Sequence, residues 1–224
     1  MKQLPKIKVK GTLTERTFEI LKDAIINLEL KPGELIKEEE ISKQIGVSRT
    51  PIRAAFNRLV YEGLLKIVPG KGTFVAELTE KQVEDLLSVR ELLEGLSIEL
   101  AATLRTEEDL KNMRYILHRQ EEALTGEFKS KKVFLDIDSE LHNYIAGISQ
   151  NEYLQKQLSS ILMNSRRFLN ATTADTFFLE VIREHKELYK YIENQNTEKA
   201  KEHMQNHIHN IKMRMIKNLN IQKD

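Results

Sequence analysis

The stretch ISKQIGVSRTPIRAAFNRLVYEGLLKIVPGKGTFVA, residues 41–76, changes from a helical to an extended hydrophobic pattern after Gly63. Apolar side chains recur at helical spacing on both sides of Gly46, a residue that suits a left-handed helix end. Two short β-type runs then flank Pro69-Gly-Lys-Gly72, which is the pattern of a hairpin. Two helices around a glycine turn, followed by a hairpin, predict a winged helix-turn-helix.

The second helix of this pair carries polar side chains at its amino-terminal end, which in a winged helix-turn-helix faces base edges of the DNA major groove. Ser48 is expected to cap this helix. Arginines suit guanine O6 and N7, whereas hydroxyl groups suit phosphate oxygens. The predicted DNA contacts are Ser48, Arg49, Thr50, Arg53 and, between the two glycines of the hairpin, Lys71.

Isolated surface arginines are more often solvated charges without a partner. Here the glycine turn, the serine, the two arginines off the apolar face and the hairpin all occur in register. That combination favours DNA contact over simple solvation.

The composition of the chain changes close to Leu78. Up to this residue there are 14 Lys and Arg against 10 Asp and Glu, and afterwards 21 against 24. All four prolines precede Thr73, so the rest of the chain can form long uninterrupted helices. We predict a mainly α protein with a winged helix-turn-helix domain at 1–78, built from three helices and a two-stranded hairpin. An all-helical bundle of about six helices follows at 79–224.

The composition of the whole chain excludes several classes of protein. The 224 residues are 40% hydrophobic and 31% charged, with a net charge of +1, which is typical of globular rather than disordered chains. The absence of cysteine excludes a disulfide scaffold and thiolate metal sites. No apolar stretch approaches the ~20 residues of a membrane span, and MKQLPKIKVK leads into no apolar signal core. These features predict a cytoplasmic protein without a membrane partner.

Residues 12–78 resemble, without a gap, the DNA-binding domain of the GntR family of bacterial transcription regulators. The strongest parts of the match are KPGE, IGVSRTPIRAAFNRL, and EGLL followed by PGKGTFV. The resemblance implies that Arg49, Thr50 and Arg53 contact an operator, and that Gly72 and its neighbours contact the minor groove or the DNA backbone. One departure is Glu39, which stands where many members carry a basic residue.

A possible metal-ligand set lies in the second half of the chain. Asp138 and His142 are four residues apart, which places them on one face of a predicted helix. His185 and His207 lie on later predicted helices. One Asp with three His suits Zn²⁺, Ni²⁺ or Mn²⁺ and needs no thiolate. From spacing alone, a surface hydrogen bond between Asp138 and His142 is the more common arrangement.

Residues from about 80 to 220 resemble the FCD domain, the all-helical effector domain of the FadR branch of the same family. Its metal-binding members show the motif D-x-x-x-H, a histidine late in the fold, and another near the end of the last helix. The matching residues, in this order, are Asp138, His142, His185 and His207.

In such members the metal faces a cavity in which a small carboxylate effector completes the coordination. The resemblance implies that Arg90 is the charge partner of the effector, since a guanidinium fork fits a carboxylate. An ion pair with Glu94, one helical turn further on, is the alternative for Arg90. Asn164 is a second residue that the resemblance places at the cavity.

These residues favour a regulator that binds double-stranded DNA as a homodimer on a pseudo-palindromic operator. A bound carboxylate metabolite would change operator affinity, and repression relieved by the effector is the commoner arrangement. Two alternatives are a metal-dependent hydrolase that uses the Asp and His centre, and a regulator whose metal is purely structural. An enzyme would leave the winged domain without a role, and the sequence offers no distinguishable general base. We therefore predict a repressor and not an enzyme.

Overall fold

The computed structural model describes residues 12–125, 130–173 and 177–221. Residues 1–11 of the predicted first domain therefore lie outside the described residues. The chain divides into two compact units, Met1–Glu77 and Leu78–Asp224.

The first unit is a winged helix-turn-helix, as the sequence predicts. Its elements are α1 (Leu13–Ile26), β1 (Leu35–Ile36), α2 (Glu38–Ile45), α3 (Arg49–Tyr61), β2 (Leu65–Val68) and β3 (Gly72–Val75). Thr12 and Glu15 form the capping box at the start of α1, and Gly46 ends α2 with a φ of 74°. The core contains the fully buried side chains of Phe18, Ile25 and Ile52.

The wing contains one strand more than the predicted two-stranded hairpin. The strands pair antiparallel in the order β1-β3-β2, so β1 adds to the free edge of the hairpin. Gly33, with a φ of 78°, turns the chain back before β1. The N–H of Gly33 donates to the Val75 carbonyl and the N–H of Val75 donates to the Glu34 carbonyl, at 3.0 and 2.9 Å. This third strand depends on contacts between segments about forty residues apart, which hydrophobic spacing does not reveal.

Ser48 occupies the N-cap position of α3, but its side chain makes no capping hydrogen bond. The sequence therefore predicts the N-cap position of Ser48 correctly, but the side-chain hydrogen bond expected of this cap is absent. A capping oxygen usually accepts from the second or third helical N–H, and the third helical residue here is Pro51, which has none. The exposed hydroxyl of Ser48 is consequently not engaged by its own helix.

The second unit contains six helices among its described residues, the number that the sequence predicts. They are α4 (Glu80–Leu104), α5 (Glu107–Thr125), α6 (Lys131–Ile148), α7 (Glu152–Thr172), α8 (Phe178–Glu193) and α9 (Thr197–Ile221). Thr79 and Gln82 form a capping box at the start of α4. Most of their buried apolar side chains form one core, separate from that of the first unit, and Ala146, Leu158 and Leu162 form a smaller cluster. Within the part of the chain that the structure describes, no helix has the length and apolar character needed to cross a membrane.

Candidate metal centre and nucleic-acid interface

Three histidines from three helices meet inside the second unit. His142 on α6, His185 on α8 and His207 on α9 are each 1% exposed, and their ligand nitrogens lie within 4.8 Å of one another. His185 Nε2 and His207 Nε2 are 3.3 Å apart. The buried carboxylate of Asp138 lies 4.0 Å from His142 Nε2 and 3.8 Å from His185 Nε2. The structure thus brings together all four of the predicted metal-ligating residues.

Each of the three imidazole rings is held through its Nδ1 atom by an acceptor on another helix. These acceptors are Glu94 for His142, Gln120 for His185 at 2.8 Å, and Glu184 for His207 at 2.5 Å. An acceptor at Nδ1 holds the ring proton there and leaves the lone pair on Nε2. All three Nε2 atoms are therefore available to one shared ligand.

The buried Nε2 of His142 has no hydrogen-bond partner among the described residues. A buried nitrogen without a partner costs free energy, and a bound ion at this atom would remove that cost. The Nε2 atoms of the three histidines and a carboxylate form a nitrogen and oxygen donor set with no sulfur. The residues present therefore fit a divalent transition metal.

The electrostatics of the cluster favour neutral imidazoles. Burial lowers the pKa of His185 well below its ordinary value, and the charges of His207, His142 and Arg90 lower it further. Burial also lowers the pKa of His207, although Glu184 opposes this effect. Both rings are neutral at neutral pH, and the neutral ring is the form that binds a metal.

The sequence predicts none of these outer partners of the histidines as part of a site, and it predicts Glu94 only as a partner of Arg90. Gln120 lies on the apolar face of α5, three and four residues after Leu117 and Ile116. A polar residue on an apolar face was the one available sequence signal. Gln120 is fully buried and also donates to Asp138 at 3.5 Å, so it orients two of the candidate ligands.

Arg90 is fully buried beside the cluster, and its Nε donates to Glu94 Oε1 at 2.5 Å. The predicted alternative of an ion pair with Glu94 is therefore present. This pair uses only Nε, because both terminal nitrogens of Arg90 have no hydrogen-bond partner within the described ranges. Burial by itself raises the pKa of Glu94, but the charge of Arg90 and the hydrogen bonds from Arg90 and His142 outweigh it and lower that pKa to about 2. Glu94 is thus an anion with a cationic fork beside it.

The structure does not bring Asn164 into the cluster. This residue is half-buried on α7, and its amide donates to the Ser160 carbonyl of its own helix at 3.1 Å. An apolar cavity lined in part by Phe134, Phe178 and Met215 contains neither Asn164 nor any of the candidate ligands. The remaining histidines also lie apart, and they are His118, His203 and His209.

In the first unit, the predicted DNA contacts on α3 are exposed, and each arginine is paired with a carboxylate of α2. Arg49 lies 3.1 Å from Glu39, and Arg53 lies 3.2 Å from Glu38. These are surface ion pairs, which contribute roughly 1 kcal/mol or less. The guanidinium groups are therefore available to a stronger anionic partner. The predicted DNA-contacting side chains that are exposed are those of Ser48, Arg49, Thr50, Arg53 and Lys71.

The presence of glycine at position 72 has a structural explanation that does not involve DNA. Its φ of 119° lies in the region that favours glycine. A Cβ atom at this position would lie 2.9 Å from the side chain of Leu35 on β1. The sheet itself therefore requires glycine here.

Comparison with known proteins identifies two family models in the chain. The model described as bacterial regulatory proteins, gntR family, matches residues 13–75, and the FCD domain model matches residues 85–210. Among curated relatives, the uncharacterized HTH-type transcriptional regulator YdhC of Bacillus subtilis (strain 168) is 32% identical over 192 residues. That match covers 85% of each chain. The HTH-type transcriptional repressor RspR of Escherichia coli (strain K12) is 29% identical, covering 61% of this chain and 59% of that protein.

Solved structures share the fold. A GntR transcriptional regulator from Rhodococcus sp. RHA1 matches with a TM-score of 0.77 and 22% identity, over 91% of this chain and 97% of that one. The metal-free FCD domain of TM0439 matches with a TM-score of 0.54 and 22% identity, over 65% of this chain and 99% of that one.

Proposed function

Because the chain belongs to the GntR family of bacterial regulatory proteins and carries an FCD domain, we propose that it is a metabolite-responsive repressor. Like its relatives, it is a transcriptional regulator and not an enzyme, which excludes the hydrolase alternative. In the proposed mechanism, a small carboxylate at a metal in the second unit changes the affinity of the first unit for an operator. Such coupling requires different contacts in the two states and is typically worth ~1–3 kcal/mol. Binding to a chromosomal operator would require a cytoplasmic location.

The observation that carries this proposal is the convergence of three imidazoles beside an arginine with an open fork. Asp138, His142, His185 and His207 would hold one Zn²⁺, Ni²⁺ or Mn²⁺ ion. The ion supplies a Lewis acid to which a ligand oxygen can bind. The terminal nitrogens of Arg90 supply a fork for the two oxygens of a carboxylate.

The open fork of Arg90 supports an anionic effector. Both terminal nitrogens of this buried side chain have no hydrogen-bond partner among the described residues, and a buried donor without an acceptor costs free energy. A carboxylate would supply two charged acceptors to this fork, which a neutral or cationic metabolite would not.

The DNA-binding part of the proposal uses two copies of the chain. Ser48, Arg49, Thr50 and Arg53 of α3 would enter the major groove, with Lys71 and Gly72 of the wing at the backbone or minor groove. The exposed side chains of Val89, Leu92 and Leu96 lie on one face of α4, at i, i+3 and i+7 spacing, which supports contact with a second copy. A dimer would match the two halves of a pseudo-palindromic operator.

The carboxylate response has a direct test. An operator is first selected from random duplex DNA, and its affinity is measured by fluorescence anisotropy while lactate, citrate or gluconate is titrated. We expect at least one of them to weaken binding by roughly fivefold or more when the chain is metal-loaded, and not after the metal is chelated. If chelation instead unfolds the second unit, the metal is structural. If all three acids leave the metal-loaded complex unchanged, the carboxylate proposal is wrong.

The placement of the recognition helix is tested by Arg49→Ala. Loss of a bidentate base contact should weaken specific operator binding by about 1–3 kcal/mol at constant salt. Glu39→Gln should act in the opposite direction, because it removes the anion that competes with DNA for Arg49. Arg114→Ala, at an exposed arginine of α5, is the matched control. Wild-type affinity in the Arg49→Ala variant would contradict the assignment of α3.

A further inference from the structure

Glu94 contacts Arg90 and the candidate metal ligand His142 at the same time. Its Oε1 accepts from Arg90 Nε at 2.5 Å, and its Oε2 contacts His142 Nδ1. The carboxylate is 1% exposed, so solvent does not screen either contact. The other two outer partners have different contacts. Gln120 bonds to His185 and Asp138, and Glu184 bonds to His207 and Asn210.

We propose that Glu94 is a positioning residue that links Arg90 to His142, so that a carboxylate at Arg90 and the metal bind cooperatively. This inference rests on the proposed function, because it assumes a metal at the histidines and an anion at Arg90. It adds the path by which one half of the site responds to the other.

The chemistry of the side chain explains why a carboxylate is required at position 94. Two donors face it, the Nε–H of Arg90 and the Nδ1–H of His142, and a carboxylate offers one acceptor to each. A glutamine offers one acceptor and one donor, so one of the two contacts must be lost. If the amide group faces His142, the ring proton moves to Nε2 and that nitrogen cannot bind a metal.

The sign of the coupling follows from the shared anion. Arg90 draws part of the negative charge of Glu94 away from His142. A ligand carboxylate at Arg90 compensates the guanidinium charge, so Arg90 neutralises less of the negative charge of Glu94. The hydrogen bond from His142 to Glu94 then becomes stronger, which makes His142 a stronger metal ligand. The affinity of the site for the metal should therefore rise when a carboxylate binds Arg90. By thermodynamic reciprocity, the bound metal should raise the affinity for the carboxylate.

The first experiment measures Zn²⁺ affinity of the metal-free full-length chain by calorimetric competition with a chelator. Glu94→Gln should weaken binding by about 10–100-fold, the usual effect of losing an outer partner of a ligating histidine. Glu91→Gln is the matched control, because it makes the same change on the same helix, where Glu91 pairs with Lys212 at 3.3 Å. Its affinity should stay within about twofold of wild type.

A double-mutant cycle then tests the link itself. Arg90→Gln should tighten Zn²⁺ binding by roughly fivefold or more in the wild-type background, the lower end of typical coupling. In the Glu94→Gln background this gain should shrink to within about twofold. An equal gain in both backgrounds would mean that Arg90 acts on the metal directly through space, which overturns the link.

A measurement on the wild-type fold covers the case in which a variant at position 94 does not fold. Nitrogen NMR of the histidine rings in the metal-free chain, with His142→Gln used for assignment, should show the His142 proton on Nδ1. A proton on Nε2 would overturn the inference. A wild-type chain that binds none of Zn²⁺, Ni²⁺ and Mn²⁺ would overturn the proposed metal centre together with the inference. Normal Zn²⁺ binding by a folded Glu94→Gln variant would overturn the inference alone.

Discussion

His185→Ala should abolish stoichiometric metal binding, with a loss of affinity greater than the ~10–100-fold that follows removal of an outer partner. His185 contributes one of the three converging Nε2 atoms of the proposed centre, and burial lowers its pKa, which favours the neutral ring that binds a metal. Elemental analysis of the purified chain should show about one equivalent of transition metal in the wild type and a large deficit in the variant.

His209→Ala provides the matched control for this experiment. His209 lies on the same helix as His207, two residues further on, but its side chain is exposed. The control should retain the wild-type metal content. Full metal content in His185→Ala, or equal loss in both variants, would show that the metal is bound elsewhere.

Phe18→Ala should destabilise the first unit by about 3–5 kcal/mol, the usual cost of truncating a buried phenylalanine. Phe18 is fully buried in the core of this unit, and the Arg58 guanidinium lies 3.7 Å from the centre of its ring. A domain of this size has a free energy of unfolding of only ~3–10 kcal/mol, at ~0.05–0.15 kcal/mol per residue. The substitution therefore removes a large fraction of the stability of the DNA-binding unit.

The expected result is a loss of operator affinity without a loss of metal. The second unit has its own apolar core, so its Zn²⁺ stoichiometry should be unchanged. Urea denaturation followed by circular dichroism should show an early transition that wild type lacks. Ile20→Ala is the control, since Ile20 on the same helix is 51% exposed. Loss of metal binding in Phe18→Ala would contradict the independence of the two cores.

Features that depend on neighbouring residues could be predicted from the sequence. The left-handed helix end at Gly46 was predicted correctly, and the capping boxes at Thr12 and Thr79 are features of the same short range. Each involves side chains and backbone groups within a few residues, so the local pattern determines the geometry. The six helices of the second unit follow from apolar spacing in a proline-free stretch.

The candidate metal ligands were a different case. Asp138 and His142 are related by helical spacing, but His185 and His207 lie far along the chain, and only the resemblance to the FCD domain linked them. The structure places these side chains together, and it adds Glu94, Gln120 and Glu184, which hold the rings from other helices. A similar limit explains the missed strand β1. The absent side-chain cap of Ser48 has a local cause instead, because Pro51 at the third helical position has no N–H to donate.

By itself, then, the sequence determined the winged helix-turn-helix, the helical second domain and the residue types available to a metal and to DNA. Only the tertiary structure decided that Glu94 lies between Arg90 and His142, and that Glu38 and Glu39 reach the arginines of α3. The physical reason is the sequence separation over which each kind of interaction acts. Helical periodicity and capping act over a few residues, whereas a buried hydrogen-bond network is set by how whole helices pack, and many arrangements share the same local patterns.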